Sequence, residues 1–190
     1  HMPGLVNDPE DRGSSDTTPL FLIGLALYRQ HTGDTGFLDD AAGRALRWLA
    51  YQSPDDRVMV AQQPTSDWRD EQWVLGYGLY VNTLVYAALR LFGQDERADL
   101  LRDRINQPVI VGGQKPGYVL EGLALPDQPY YALWSYKVHF SARVDLLGNC
   151  LAILFGLAAP DKARAMIEWI EKTCAARRAD GSLALDVPPC

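Results

Sequence analysis

Apolar residues recur at helical spacing in six separate runs, and this pattern constrains the fold more than any other feature of the 190-residue chain. The predicted helices start after Asp16, at Asp34 or Thr35, near Tyr77, at Asp95, after Asp145 and near Pro160. Glycine or proline follows several of these runs, as expected where a helix ends. The helices therefore form three consecutive pairs, with long connections after the second and fourth helices.

These pairs predict an all-α fold made of three αα-hairpins. The odd-numbered helices are nearly as apolar as a buried core and the even-numbered ones are amphipathic, as in a toroid with inner and outer helices. A closed ring of this kind usually needs six hairpins, so the chain corresponds to part of an (α/α)6 toroid. Between Pro108 and Asp145 the composition instead predicts a few short strands within long loops. We expect one partial domain over residues 1–190, with His1-Met2 as a cloning scar.

Composition excludes several classes of function. A net charge of −6 disfavours nucleic acid as a partner, and no apolar run reaches the length of a membrane span. The three cysteines are widely spaced and odd in number, which predicts reduced thiols and a cytoplasmic location. Three scattered histidines offer no metal cluster, so no metal or cofactor is expected.

The densest group of potentially functional residues lies between Thr65 and Trp73. Three carboxylates and two indoles fall within these nine residues. Indole rings stack on the apolar faces of sugars, and carboxylates bind sugar hydroxyls or protonate a glycosidic oxygen. A carboxyl group held against an indole also loses solvation, which raises its pKa toward the range of a general acid. The alternative interpretation is a solvated acidic turn whose tryptophans pack in the core.

Three stretches resemble known carbohydrate-active enzymes. Ser15–Phe21, followed by Thr32–Asp34, resembles the hairpin opening of bacterial amylo-α-1,6-glucosidase-like glycosidases of the debranching type. Asp67–Asp70 and Tyr80–Leu89 are similar to their Asp-Trp-x-Asp and Tyr-x-Asn-x-Leu-x-Tyr-x-Ala-Leu motifs, and Phe140–Leu154 resembles a signature shared with alkaline/neutral invertases. The resemblance implies an (α/α)6-barrel glycosidase that inverts the anomeric centre, related more distantly to trehalases and glucoamylases.

An inverting enzyme needs one protonated and one ionised carboxyl group on opposite sides of the scissile bond. The resemblance implies that the acid is Asp70, with Asp67 as the first alternative and Glu71 as the second. The base of these families lies in a segment that this sequence does not contain. Glu121 is a candidate for that role, although glutamates in loops are mostly solvated.

Other residues are candidates for binding the sugar. By resemblance Asp16 binds hydroxyls, although capping a helix explains it equally well. The remaining substrate-binding candidates are Trp68, Arg69, Glu71, Trp73, Tyr80, Asn82 and His139. Core packing is the alternative for the tryptophans, and a structural role is the alternative for His139. Arg143 and Asp145 are expected to form a local ion pair at a helix start.

The leading functional hypothesis is a glycoside hydrolase that acts on an α-glucoside or a sucrose-like sugar. A carbohydrate-binding or assembly module without turnover is the alternative, and a helical scaffold comes third. An incomplete ring leaves apolar helix surface exposed at both ends, and such surfaces normally find a partner. We therefore expect a homodimer or a larger homo-oligomer.

Overall fold

The computed structural model describes residues 14–54, 58–69, 73–109, 122–137 and 139–184. This part of the chain contains six helices and three strands. The helices are α1 (Thr17–Thr32), α2 (Asp39–Tyr51), α3 (Leu79–Leu91), α4 (Asp95–Ile105), α5 (Leu146–Leu154) and α6 (Pro160–Ala179). The strands are β1 (Tyr77–Gly78), β2 (Ala132–Tyr136) and β3 (His139–Val144).

The helices follow the predicted periodicity, and local stop signals decide their ends. Gly33 adopts a left-handed φ of 76° and its N–H bonds to the Arg29 carbonyl, which ends α1 as predicted. Helix α4 begins at Asp95, as predicted. Helix α2 begins at Asp39, later than predicted, because a turn precedes it and Leu38 adopts a φ of 56°.

The all-α prediction is wrong, because the three strands form one antiparallel sheet in the order β1-β2-β3. Tyr77 pairs with Ser135, and Tyr136 pairs with His139. Tyr77 was expected to begin the third helix, but β1 takes it and Gly78, so α3 starts at Leu79. Helical periodicity could not reveal this pairing, since the partners of β1 lie far along the chain. The described residues form a mixed α/β fold rather than part of an all-α toroid.

Helix α3 lies at the centre of this fold. It packs against both α1 and α5, and it also contacts α4, β1 and β2. Every residue from Leu79 to Leu89 is buried, which explains why this run is apolar on all sides. The three helices α1, α3 and α5 therefore form a row, and α2 packs beside α1. Within the described residues, no helix combines the length and apolar character needed to cross a bilayer.

Two buried asparagines link α3 and α5 to extended segments through the same pattern of side-chain to backbone hydrogen bonds. Asn82 Nδ2 donates to the carbonyl of Gly78, four residues earlier at the helix N-cap, while its Oδ1 accepts from the Val60 N–H at 2.7 Å. Asn149 Nδ2 likewise donates to the carbonyl of the N-cap residue Asp145. Its Oδ1 accepts from the N–H of Tyr131 at 2.9 Å. Each amide thus satisfies backbone groups that burial would otherwise leave unpaired.

We expect Asn149→Ala to lower the free energy of unfolding by about 1–3 kcal/mol, because it leaves the buried Tyr131 N–H without an acceptor. Urea denaturation followed by circular dichroism measures the change. Thr83→Val is the matched control, since Thr83 is also buried but its hydroxyl has no hydrogen-bond partner among the described residues. That variant should be neutral or slightly stabilising. Equal losses in the two variants would contradict the bracing role of the asparagine.

Candidate functional site

A buried guanidinium joins two carboxylates that lie far apart in the sequence. Arg69 Nη2 donates to Asp67 Oδ2 at 2.8 Å, and Arg69 Nη1 donates to Asp145 Oδ2 at 2.8 Å. All three side chains are buried: the exposed fraction is 5% for Arg69, 2% for Asp67 and 4% for Asp145. We call this group the Arg69 triad. It ties the loop before α3 to the N-terminus of α5.

Asp67 accepts hydrogen bonds at both of its oxygens. Oδ1 accepts from the Arg69 N–H at 2.9 Å and from Arg69 Nε, and Oδ2 also accepts from Gln62 Nε2 at 3.0 Å. Burial alone would raise the pKa of Asp67, but the hydrogen bonds from Arg69 and Gln62 outweigh it and hold that pKa below its ordinary value. Asp67 is therefore a permanently ionised acceptor at neutral pH.

The charge of Arg69 is secured by the same contacts. Burial would lower the pKa of Arg69, but its hydrogen bond to Asp67 and the charges of Asp145 and Asp67 raise it further above neutrality. The guanidinium also lies 5.3 Å from the ring centroid of Tyr80 and 5.8 Å from that of Trp68. Cation–π attraction therefore helps to fix both rings beside it.

Asp145 combines its ion pair with a helix cap. Its Oδ1 accepts from the Gly148 N–H at 3.0 Å, which satisfies a donor in the first turn of α5. A side chain at position 148 would place its Cβ 2.6 Å from Asp145 Oδ2, so the glycine makes room for the carboxylate. Asp145 was expected to pair with Arg143, but its partner is Arg69, and Arg143 is exposed on β3.

Asp16 holds the other side of the same loop. It is the N-cap residue of α1, yet its side chain makes no capping hydrogen bond. Instead its Oδ2 accepts from the Trp68 N–H at 3.2 Å, and its Oδ1 accepts from the Ser14 hydroxyl. Burial, together with the charge and hydrogen bond of Asp16, raises the pKa of Tyr80 to about 12. The Tyr80 phenol therefore remains protonated and can donate.

Three helix N-termini thus meet one short peptide segment, residues 67–69. Asp16 precedes α1, Tyr80 lies in the first turn of α3, and Asp145 precedes α5. One guanidinium accompanies three carboxylates here, and the positive ends of the helix dipoles offset part of the remaining negative charge. This end of the helix row is a polar and partly aromatic region built on a rigid support.

The indole of Trp68 is the exposed component of this region. It is 57% exposed although its backbone N–H is bonded to buried Asp16, and its ring meets Tyr80 edge-on with centroids 6.3 Å apart. Trp73 is also exposed, at 53%. The core-packing alternative for these two tryptophans does not describe their positions, and Trp68 combines a hydrogen-bonded backbone with an exposed side chain.

The remaining candidates lie in different places. Asp70, Glu71 and Glu121 lie outside the described residues. Asn82 is fully buried and its amide is used by backbone groups, so it braces the fold and does not face a ligand. His139 is exposed on β3 and belongs to the sheet rather than to the Arg69 triad.

Two residues of this site, Asp145 and Gln62, have long-range roles that no sequence pattern predicts. The position of Asp145 before an apolar helix predicts a cap, but the sequence carries no signal for its pairing with Arg69. Among the described residues, no group of three or more histidine, cysteine or acidic side chains is arranged to hold a metal ion.

Comparison with known proteins gives no assignment. No family model matches the chain. No curated protein matches it significantly either.

Removing Arg69 should destabilise the protein strongly. We expect Arg69→Met to lower the free energy of unfolding by about 3–5 kcal/mol at pH 7, because two carboxylates remain buried without their cation. Arg164→Met is the control, since Arg164 pairs with Asp161 at the surface. Exposed pairs contribute about 1 kcal/mol or less. Thermal and urea unfolding measure both variants.

The effect of Arg69→Met should also depend on pH. The pKa of Asp67 is lowered in the folded protein, so its contribution is complete above the ordinary value of 3.8 and is lost as the pH falls below it. The stability difference between the parent protein and the variant should therefore narrow in acid. A difference that stays constant from pH 7 to about pH 3 would contradict the ionic role of the triad.

Proposed function

We propose that the chain is a glycoside hydrolase, or part of one, that acts on an α-glucoside or a sucrose-like sugar by an inverting mechanism. The observation that carries the proposal is an exposed indole fixed by the Arg69 triad and Asp16 beside three helix N-termini. Aromatic faces and hydroxyl-binding polar groups held on rigid elements are what carbohydrate recognition requires. The resemblance of the Asp67–Asp70 segment to glycosidase motifs supports the same class.

The general acid in this proposal is Asp70. Asp67 is a weaker candidate, because its two oxygens accept hydrogen bonds from Arg69 and Gln62 and its pKa is lowered. A general acid must hold a proton near neutral pH, and those contacts favour the ionised form. Asp67 and Arg69 then act as positioning residues for the loop, while Asp70 and Glu71 supply the carboxyl groups available for chemistry or for hydroxyl binding.

The base of the inverting reaction is proposed to lie outside this chain. Asp16 and Asp145 are buried and bonded to protein groups, so neither is free to activate a water molecule. They hold Trp68 and Arg69 instead. Glu121 is kept as a candidate for the base within the chain.

A carbohydrate-binding module without turnover is the second candidate. The observation that favours it is that all three carboxylates around Trp68 in the described residues are engaged with protein donors. An arrangement of this kind can bind a sugar by stacking without supplying a proton. Turnover distinguishes the two functions.

Replacing Asp70 tests the catalytic proposal. We expect Asp70→Asn to lower the rate of maltose, isomaltose or sucrose hydrolysis by roughly 10²–10⁴-fold, because the leaving oxygen is no longer protonated. The loss should be smaller for aryl α-glucosides, since an aryl leaving group needs less protonation. The anomer released by the parent protein, followed by NMR, reports the stereochemistry.

The control for that experiment is Asp103→Asn, which removes an exposed carboxylate on α4 and should leave the rate unchanged. Sugar binding without turnover in both the parent and the Asp70→Asn variant would favour the binding module. Hydrolysis that Asp70→Asn does not slow would remove Asp70 from the mechanism.

Replacing Trp68 tests the sugar-binding surface. Trp68→Ala should weaken the affinity for glucosides by about tenfold or more, because the stacking face is lost while the buried triad remains. Isothermal titration calorimetry with maltose measures the change. Leu154→Ala is the control, since Leu154 is a large exposed side chain at the C-terminal end of α5, away from Asp145. Equal affinities in both variants would argue against Trp68 as the stacking residue.

We also propose that the protein is a cytoplasmic homo-oligomer. Exposed apolar helix surface favours a homo-oligomer. The odd number and wide spacing of the cysteines favour a cytoplasmic protein with reduced thiols.

A further inference from the structure

The hairpin of α1 and α2 carries a disproportionate share of the exposed apolar surface. Eight of the fourteen large hydrophobic side chains exposed in the described residues lie on this hairpin. They are Leu20, Phe21, Leu27, Tyr28, Phe37, Leu38, Trp48 and Tyr51. Large contiguous apolar patches are rare on monomeric proteins and usually mark a binding surface.

These side chains follow the junction between the two helices. Phe21 and Trp48 line an open groove of about 420 Å³ between α1 and α2. Toward the other end of the hairpin, Tyr28 stacks against Phe37 with centroids 4.7 Å apart. The apolar surface therefore runs along the hairpin rather than occurring as isolated side chains.

The exposed aromatic area of the hairpin is more than half of what one partner buries in a standard protein interface. Five aromatic side chains of the hairpin are between 38% and 80% exposed. Taking about 200 Å² for a whole aromatic side chain, they leave roughly 500 Å² uncovered. A standard interface buries about 800 Å² on each partner, and the exposed leucines of the hairpin add to the aromatic area.

Charges on the outer face of α2 indicate which partner this surface fits. One exposed stripe of α2 consists of residues that recur at spacings of three to four positions, namely Asp40, Arg44, Arg47, Trp48 and Tyr51. Buried Ala42 and Leu49 lie on the opposite face of the helix. Among the described residues none of Asp40, Arg44 and Arg47 has an ion-pair partner. The stripe is acidic at the start of α2 and basic in its middle. Two copies of α2 in antiparallel orientation therefore place the acidic part of one stripe opposite the basic part of the other.

We propose that a second copy of this chain docks on the α1–α2 hairpin through a two-fold axis near residue 42 of α2. In this antiparallel arrangement Asp40 of each copy lies opposite Arg44 of the other, so the two ion pairs form symmetrically. Trp48 of each copy then approaches Phe37 and Leu38 of the other. The aromatic surface is buried on both sides of the charged centre. This inference rests on the homo-oligomer proposed above and is independent of the carbohydrate proposal.

Charge reversal tests the arrangement. The full chain should be a dimer by multi-angle light scattering at micromolar concentration. In the Asp40→Arg variant, positions 40 and 44 are both arginine, so like positive charges face each other across the interface. In the Arg44→Asp variant both positions are aspartate, so like negative charges face each other. Each variant alone should raise the dimer Kd at least tenfold. Circular dichroism and thermal unfolding check that both variants are folded.

Mixing the two variants provides the decisive measurement. In a heterodimer of Asp40→Arg with Arg44→Asp, both cross-interface pairs join opposite charges, so an equimolar mixture should recover the dimer mass. Charge interactions within one helix cannot produce this recovery in trans. Glu168→Arg, an exposed reversal on α6, is the control and should leave the parent Kd unchanged.

Trp48→Ala offers a second test that does not change charge. It should also weaken the dimer, because the apolar contact with Phe37 and Leu38 is lost. A parent chain that is monomeric at 100 μM or above overturns the proposal. So does a dimer that withstands all three hairpin variants, or a mixture of the two charge variants that stays monomeric.

Discussion

The buried contact of Arg69 with Asp67 and Asp145 is the interaction on which the polar end of this fold depends. It joins a loop that precedes α3 to the N-terminus of α5, and the two residues are 76 positions apart in the sequence. Each ion pays a desolvation cost on burial, and the cost is offset only when all hydrogen bonds are made. Gln62 and Gly148 supply the further donors that make this geometry complete.

Uncharged hydrogen bonds from two buried asparagines also hold loop segments against the helices. Asn82 and Asn149 each lie four residues after an N-cap and bind backbone groups of an extended segment. The segments containing Val60 and Tyr131 are thereby fixed against α3 and α5. Ionic and neutral contacts together place three helix N-termini around residues 67–69, and no single element could position that loop alone.

This arrangement separates structural carboxylates from those available for chemistry. Asp16, Asp67 and Asp145 are buried and satisfied by protein donors, so their role is to hold Trp68 and Arg69 in place. A loop fixed in this way keeps an exposed indole in a constant orientation without the entropy cost of ordering it on binding. In the glycosidase proposal, the proton donor is therefore a neighbour of the triad and not a member of it.

The sequence by itself determined the six helices, because their apolar periodicity and their glycine and proline stop signals are local. It also identified Thr65–Trp73 as the densest group of potentially functional residues. Only the tertiary structure decided that Tyr77 and Gly78 form a strand, that Asp145 pairs with Arg69 rather than Arg143, and that Asn82 is a brace. Those outcomes depend on contacts between residues distant along the chain. Local spacing carries no information about them, since burial and pairing are settled only when the elements pack.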